Sequence, residues 1–298
     1  MQSFTRGWSF LQQAWSMAFK DKDLIKPSIY ALIVGMIVSV IGIIPIALAA
    51  FIFGTEGVVA QAILFVLGAI LVFVQFVVSY VFSAMTVYLI YGYLAEGDGR
   101  MDKAWAIVRR DFFDILTLAA VSTVVNLLRQ SAQKNRKGLL AGVLRAAAGA
   151  LEALWTEAAL LVLPAMIIDD LNLKDGLARI LKITRENLLL VGISAVGVNW
   201  VTGLIGFVLG VIGAVLGFGV GYGIILVAGS ATFGIVIGIV VGALIFFAFV
   251  MVASVIGAYT GTAYHTCLYI WARETEKARA QGQTSAVAAP APLAAVLG

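Results

Sequence analysis

Residues 187 to 272 contain no Asp, Glu, Lys or Arg: 86 consecutive residues without a formal charge, 16 of them glycine. A water-soluble domain does not hide that much uncharged chain in one run. The stretch belongs in lipid, where every backbone N–H and C=O must find a partner within the protein, and helices meet that demand. The glycines add a second constraint, because helices in lipid approach one another most closely where small residues lie.

Composition agrees with this assignment. Of the 298 residues, 62% are hydrophobic and 12% charged, whereas soluble domains carry about 25% charged residues. Mean hydropathy is +1.03. The expected fold is all-α, a polytopic transmembrane helical bundle of about six membrane helices with amphipathic interfacial helices. One cysteine, Cys267, excludes an internal disulfide, and one histidine, His265, leaves no histidine-rich metal site. The net charge of +4 comes from basic residues in short segments that flank apolar runs. That is the pattern of membrane topology and not of a nucleic-acid partner.

Three segments follow from the pattern. In residues 1–26, Phe4, Trp8, Leu11, Trp15 and Phe19 recur at spacings of three and four, with Arg6, Ser9, Gln12 and Gln13 on other faces. This predicts an amphipathic helix lying in the headgroup region. Acidic and aromatic residues in this segment argue against a cleavable signal. Residues 27–272 form the transmembrane domain, and residues 273–298 a cytoplasmic, mostly disordered tail ending in Ala, Pro, Gln and Ser.

Within the domain, Pro27 opens a first span to about Phe53, with Pro45 inside it. Gly54-Thr55-Glu56-Gly57 turns the chain. A second apolar stretch from Val58 to about Leu94 is longer than one perpendicular crossing. Residues 112–128 and 139–168 are less apolar and carry Asp114, Asn126, Arg145, Glu152 and Glu157. They read either as two shielded spans or as a tilted interfacial hairpin. A second surface helix runs from Lys174 to Glu186, with Leu173, Leu177, Ile180 and Leu181 on one face. The uncharged run then divides into helices at about 188–216 and 232–271, with a turn within 217–230.

The basic residues orient the chain. Four lie in residues 1–26, four in 96–110, four in 169–187 and three after Ala272, against none in 54–57 or 218–231. Both termini are therefore expected in the cytoplasm, in the plasma (inner) membrane of a prokaryote. Arg129, Lys134, Arg136 and Lys137 run against this rule if six helices cross.

Several short motifs occur in a particular order: Arg6-Gly7-Trp8 with Trp15, Asp21-Lys22-Asp23-Leu24 and Pro27, and Lys103-Ala104-Trp105. Trp155-Thr156 with Pro164 follows, then Asp169-Asp170, Asp175-Gly176-Leu177-Ala178-Arg179 and Leu268-Tyr269. In these the chain, over roughly residues 5–272, resembles an uncharacterised family of prokaryotic six-helix integral membrane proteins, known as a domain of unknown function. Ile180 stands where such proteins tend to have serine. The resemblance implies the fold and brings no activity with it.

The candidate functional residues fall into two groups. Gly203, Gly206, Gly210, Gly213 and Gly217 alternate spacings of three and four, and Gly234, Gly238 and Gly242 repeat every four residues. These are helix-packing faces, closing either within one chain or between chains. Gln75, Asn126 and Asn199 fall within apolar spans and are candidates for a polar pathway or for hydrogen bonds between helices. Gly219-Val220-Gly221-Tyr222-Gly223 is similar to a potassium-channel filter. Gly219 stands where threonine is usual and Ile224 where an acid is usual, so the run reads as a glycine-rich turn.

No catalytic set, cofactor loop or metal cluster is visible in the sequence. His265 and Cys267 lie two residues apart, on different helix faces. The basic clusters near 100–110 and 134–137 suit anionic lipid headgroups. The expected function is a non-enzymatic homo-oligomeric membrane assembly, pore-like or ring-forming. The alternative is a monomeric or accessory structural protein that binds membrane lipid or a membrane-protein partner.

Overall fold

A computed structural model describes residues 2–134, 139–228, 232–282 and 287–297. Nine α-helices and one short 3-10 turn (Lys22–Leu24) lie among the described residues: α1 (Gln2–Lys20), α2 (Lys26–Phe53), α3 (Val58–Glu96), α4 (Met101–Arg110), α5 (Phe112–Lys134), α6 (Leu139–Asp169), α7 (Leu173–Ala228), α8 (Thr232–Ala280) and α9 (Ala291–Leu297). Six of them, α2, α3 and α5–α8, are long and apolar enough to cross a membrane. The chain is a multi-pass, all-helical membrane protein.

Local chemistry explains the boundaries. Pro27 sits in the first turn of α2, where its missing N–H costs no helical hydrogen bond. Gly54 and Gly57 take φ of 74° and 96° and so turn the chain between α2 and α3. Gly97 ends α3 in the left-handed conformation, its N–H donating to the Tyr93 carbonyl. Asp21 uses both carboxylate oxygens at a corner. Oδ1 accepts from the Asp23 amide and Oδ2 from the Gly99 amide at 2.7 Å, which ties the α1–α2 junction to the α3–α4 loop.

The core sits at one end of the molecule, the closely packed end, called inner for that packing alone. Phe10, Leu24, Leu89, Ile90, Ile115 and Met166 are fully buried there, around Tyr259, Tyr264 and Tyr269 of α8. From this end two pairs of helices project outward. The α2–α3 pair is apolar on nearly every side, and so is the α7–α8 pair.

The structure corrects the sequence reading at four places. The N-terminal helix does form, but Gly7, Phe10, Ala14, Met17 and Ala18 are its buried stripe, while Trp8 and Phe19 of the expected apolar face are exposed. It packs on α7, α8 and α9 through that stripe. The expected surface helix at 174–186 and the first helix of the uncharged run are one helix, α7, of 56 residues. Nothing between them breaks the hydrogen-bond ladder, because neither Pro nor a left-handed glycine intervenes. Residues 217–228 continue that helix, so Gly219–Gly223 is neither a turn nor a filter loop. The tail is ordered where it is described: α8 continues to Ala280, Leu293 of α9 is fully buried, and the Trp271 indole donates to the Val287 carbonyl.

Candidate functional site

The glycine stripe closes within the chain. A Cβ added to Gly217 would lie 2.5 Å from the Gly242 carbonyl oxygen, and one on Gly221 would lie 2.6 Å from that of Gly238. The reciprocal approaches from Gly238 and Gly242 are equally tight, Gly213 meets Phe249, and Gly234 meets Ala228. Only hydrogen fits at these crossings, so the two backbones touch and gain dispersion contacts along the seam. Gly203, Gly206 and Gly210 belong to the same stripe, but nothing lies within 4 Å of their would-be Cβ atoms. A groove of about 330 Å³ runs over the seam between Phe218, Tyr222 and Phe246.

A polar cluster sits between α3, α5 and α6, in the part of the molecule that composition assigns to lipid. Tyr80 and Ser122 hydroxyls share a hydrogen bond of 2.7 Å, and the Trp155 indole donates to the same Ser122 oxygen at 2.8 Å. Ser122 is thus the point where three helices are joined. One turn outward, Glu152 forms an ion pair with Arg129, and the Gln130 amide donates to Asn126 Oδ1 at 2.7 Å. Ser79, Asn126, Glu152 and Thr156 line a cavity of about 190 Å³. A carboxylate at such depth is costly unless paired, and the guanidinium supplies the pairing. Beyond Asn126 and Gln130 a larger cleft of about 640 Å³ opens between α3 and α5.

The inner end carries an ionic clamp. Asp169 at the end of α6 accepts from the Tyr269 hydroxyl, pairs with Arg273 at 2.8 Å and with Arg179 at 3.3 Å. Arg179 reaches on to Glu276, which Lys182 also holds. Burial works against the Arg179 charge, yet the Tyr269 hydroxyl, Glu276 and Asp169 together raise its pKa above the ordinary value. Asp111, hydrogen-bonded to Arg110 and helped by Asp170, likewise raises the Arg110 pKa. These groups join α6, α7 and α8, and the Arg110–Asp170 pair ties the end of α4 to the end of α6.

The sequence candidates separate accordingly. Gln75 donates to the Gly35 carbonyl and to the Ser39 hydroxyl, so it links α3 to α2. Asn126 lines the polar cavity. The Asn199 side chain lies outside the described residues. His265 is buried, with one ring nitrogen 2.7 Å from the Gly261 carbonyl and the other 3.4 Å from Glu157, while Cys267 is buried separately. Among the described residues no three His, Cys, Asp or Glu side chains could hold a metal ion.

Sequence reasoning missed the Tyr80–Ser122–Trp155 junction and the Arg129–Glu152 pair. A signal was present. Ser122, Asn126 and Arg129 recur at four and three residues on α5, and Trp155 and Thr156 lie three and four residues after Glu152 on α6, which places polar groups on one side of each helix. No protein-family model matches the chain, and no curated protein matches it. The functional reading therefore rests on the chain's own geometry.

Proposed function

We propose that the chain is a non-enzymatic component of a homo-oligomeric membrane assembly, joined through the α7–α8 hairpin. One observation carries this reading. From residue 202 to residue 258 the buried described residues are the six seam glycines and no others. The hairpin thus offers an uninterrupted apolar surface with a groove over its seam and an open glycine face at Gly203, Gly206 and Gly210. A second copy supplies ridges of the size that such grooves accept, and close packing is the main attraction available in lipid. The basic residues support an orientation with both termini in the cytoplasm.

Size measurement in mild detergent and in lipid discs tests the reading. More than one chain per particle is expected, together with disulfide cross-linking of a Phe218→Cys variant. A strictly monomeric particle with no cross-link overturns it. Solute flux from liposomes then separates a pore from a sealed ring.

A second reading, an accessory membrane protein that binds lipid, is favoured by the cleft between α3 and α5. That cleft is apolar along its length and polar at one end.

A further inference from the structure

We propose that the polar cavity between α3, α5 and α6 binds a small, neutral, polyhydroxylated solute of glycerol's size. The site lies within one chain and does not rest on the assembly.

The cavity floor has one hydroxyl proton too many. Tyr80 and Ser122 are buried there, Ser122 at 2% exposure. Their two hydroxyls share a single hydrogen bond, and the Trp155 indole donates to Ser122 as well. Whichever hydroxyl donates within the pair, the other keeps a proton for which the described residues offer no acceptor. A buried donor left unmatched is costly, so the floor calls for an oxygen from a guest. The walls repeat the demand. Asn126 accepts from Gln130 through Oδ1, which leaves both Nδ2 protons. Glu152 holds Arg129 through Oε2, which leaves Oε1 as an acceptor. Ser79 and Thr156 add hydroxyls at the exposed rim. Donors and acceptors thus face one space, and a hydroxyl group, which both donates and accepts, answers each of them.

Charge and shape narrow the class. Glu152 is the charged member of the lining, and Arg129 already neutralises it. A cation would meet Arg129 and an anion Glu152, with no free counter-charge to offset the loss of water. A neutral guest avoids both costs. Phe76, Val125 and Leu160 line the remaining wall and present only carbon. Water forfeits hydrogen bonds against such a wall, whereas a carbon skeleton gains dispersion contact. The volume is about 190 Å³, the share of roughly six waters at ~30 Å³ each. It falls below the roughly 300–1,000 Å³ of drug-sized sites, too little for a nucleotide or a disaccharide.

The test uses the whole protein, purified without glycerol in a detergent that has no sugar headgroup. Glycerol is the probe, and transfer of NMR saturation from the protein to its protons reports binding. A saturable signal is expected. Glycerol 3-phosphate and ethanolammonium should bind at least about tenfold more weakly, because each buries a charge without a partner. Ser79→Phe closes the rim from an exposed position and should abolish the signal with melting unchanged. Asn126→Leu, on a different helix, should do the same and serves if the first variant does not fold. Absence of transfer, meaning that water alone fills the cavity, would overturn the proposal. So would a signal that never saturates, equal binding of the charged analogues, or undiminished binding by either folded variant. Particle size is read on the same samples, so failure of the assembly and failure of this site are told apart.

Discussion

Helix α8 passes through two regions that are held together by different physics. In its outer half, up to residue 258, the buried residues are Gly234, Gly238 and Gly242. In the stretch from Tyr259 to Tyr269 almost every residue is buried, including Thr260, Thr262, His265 and Thr266. The outer half offers its partner shape alone, since lipid is as apolar as its side chains and gives no hydrophobic reason for helices to meet. The inner stretch joins its neighbours by hydrogen bonds: Trp15 to Thr260, Tyr259 to the Ala14 carbonyl, and Tyr269 to Asp169. Removing side chains makes contact possible in one region, and adding polar groups makes it specific in the other.

The contrast breaks first at the seam. Gly217→Leu must push a side chain into the Gly242 carbonyl, which lies 2.5 Å from the first added carbon. The expected loss is at or above the ~1–3 kcal/mol usual for overpacking, read as thermal unfolding in detergent. Gly219→Leu is its control, because that position opens onto nothing within 4 Å. Equal losses from the two would dissolve the distinction between seam and lipid face.

The inner clamp comes next. Asp169→Ala strands Arg273 and part of Arg179, and Asp169 is only 14% exposed. A loss of about 1–3 kcal/mol is expected, smaller at high salt because the cluster borders water. Salt-independent loss would show that packing and not charge holds this end.

Ser122→Ala removes the oxygen shared by Tyr80 and Trp155 and should cost about 0.6–1.7 kcal/mol, from the average to the largest value for a hydrogen bond between membrane helices. A near-UV signal from Trp155 that does not change would count against the junction. The smallest effect is expected from Gly210→Ala, whose new methyl meets open space. Stability should stay within about 0.5 kcal/mol. If the particle nevertheless falls apart into single chains, the open glycine face is the one that joins copies.

Much of the architecture was legible in particular residues. Pro27, the Gly54–Gly57 turn and the start at Val58 set the ends of α2 and α3 where the structure has them. The start of α8 at 232 was legible but the end of α7 was not: the glycines from 217 to 223 read as a break, yet facing backbone occupies the space beside Gly217 and Gly221, and in lipid a helix is the cheapest way to satisfy the backbone of the residues between them. The face of α1 was misjudged because Trp8 and Phe19 are as suited to a headgroup layer as to a core. The polar cluster escaped because its members are spread over α3, α5 and α6, and each alone resembles an ordinary hydrogen-bonding residue.

The sequence by itself determined that the chain is helical and belongs in a membrane, because length of apolar run and spacing of charge are local quantities. It also marked the glycines as places of close approach. Only the tertiary structure decided that Gly217 and Gly221 meet Gly242 and Gly238 of the same chain, that Arg129 meets Glu152, and that Asp169 gathers Arg179 and Arg273. Those pairings depend on which surfaces fit at van der Waals distance across tens of residues, and one-dimensional spacing does not carry that information.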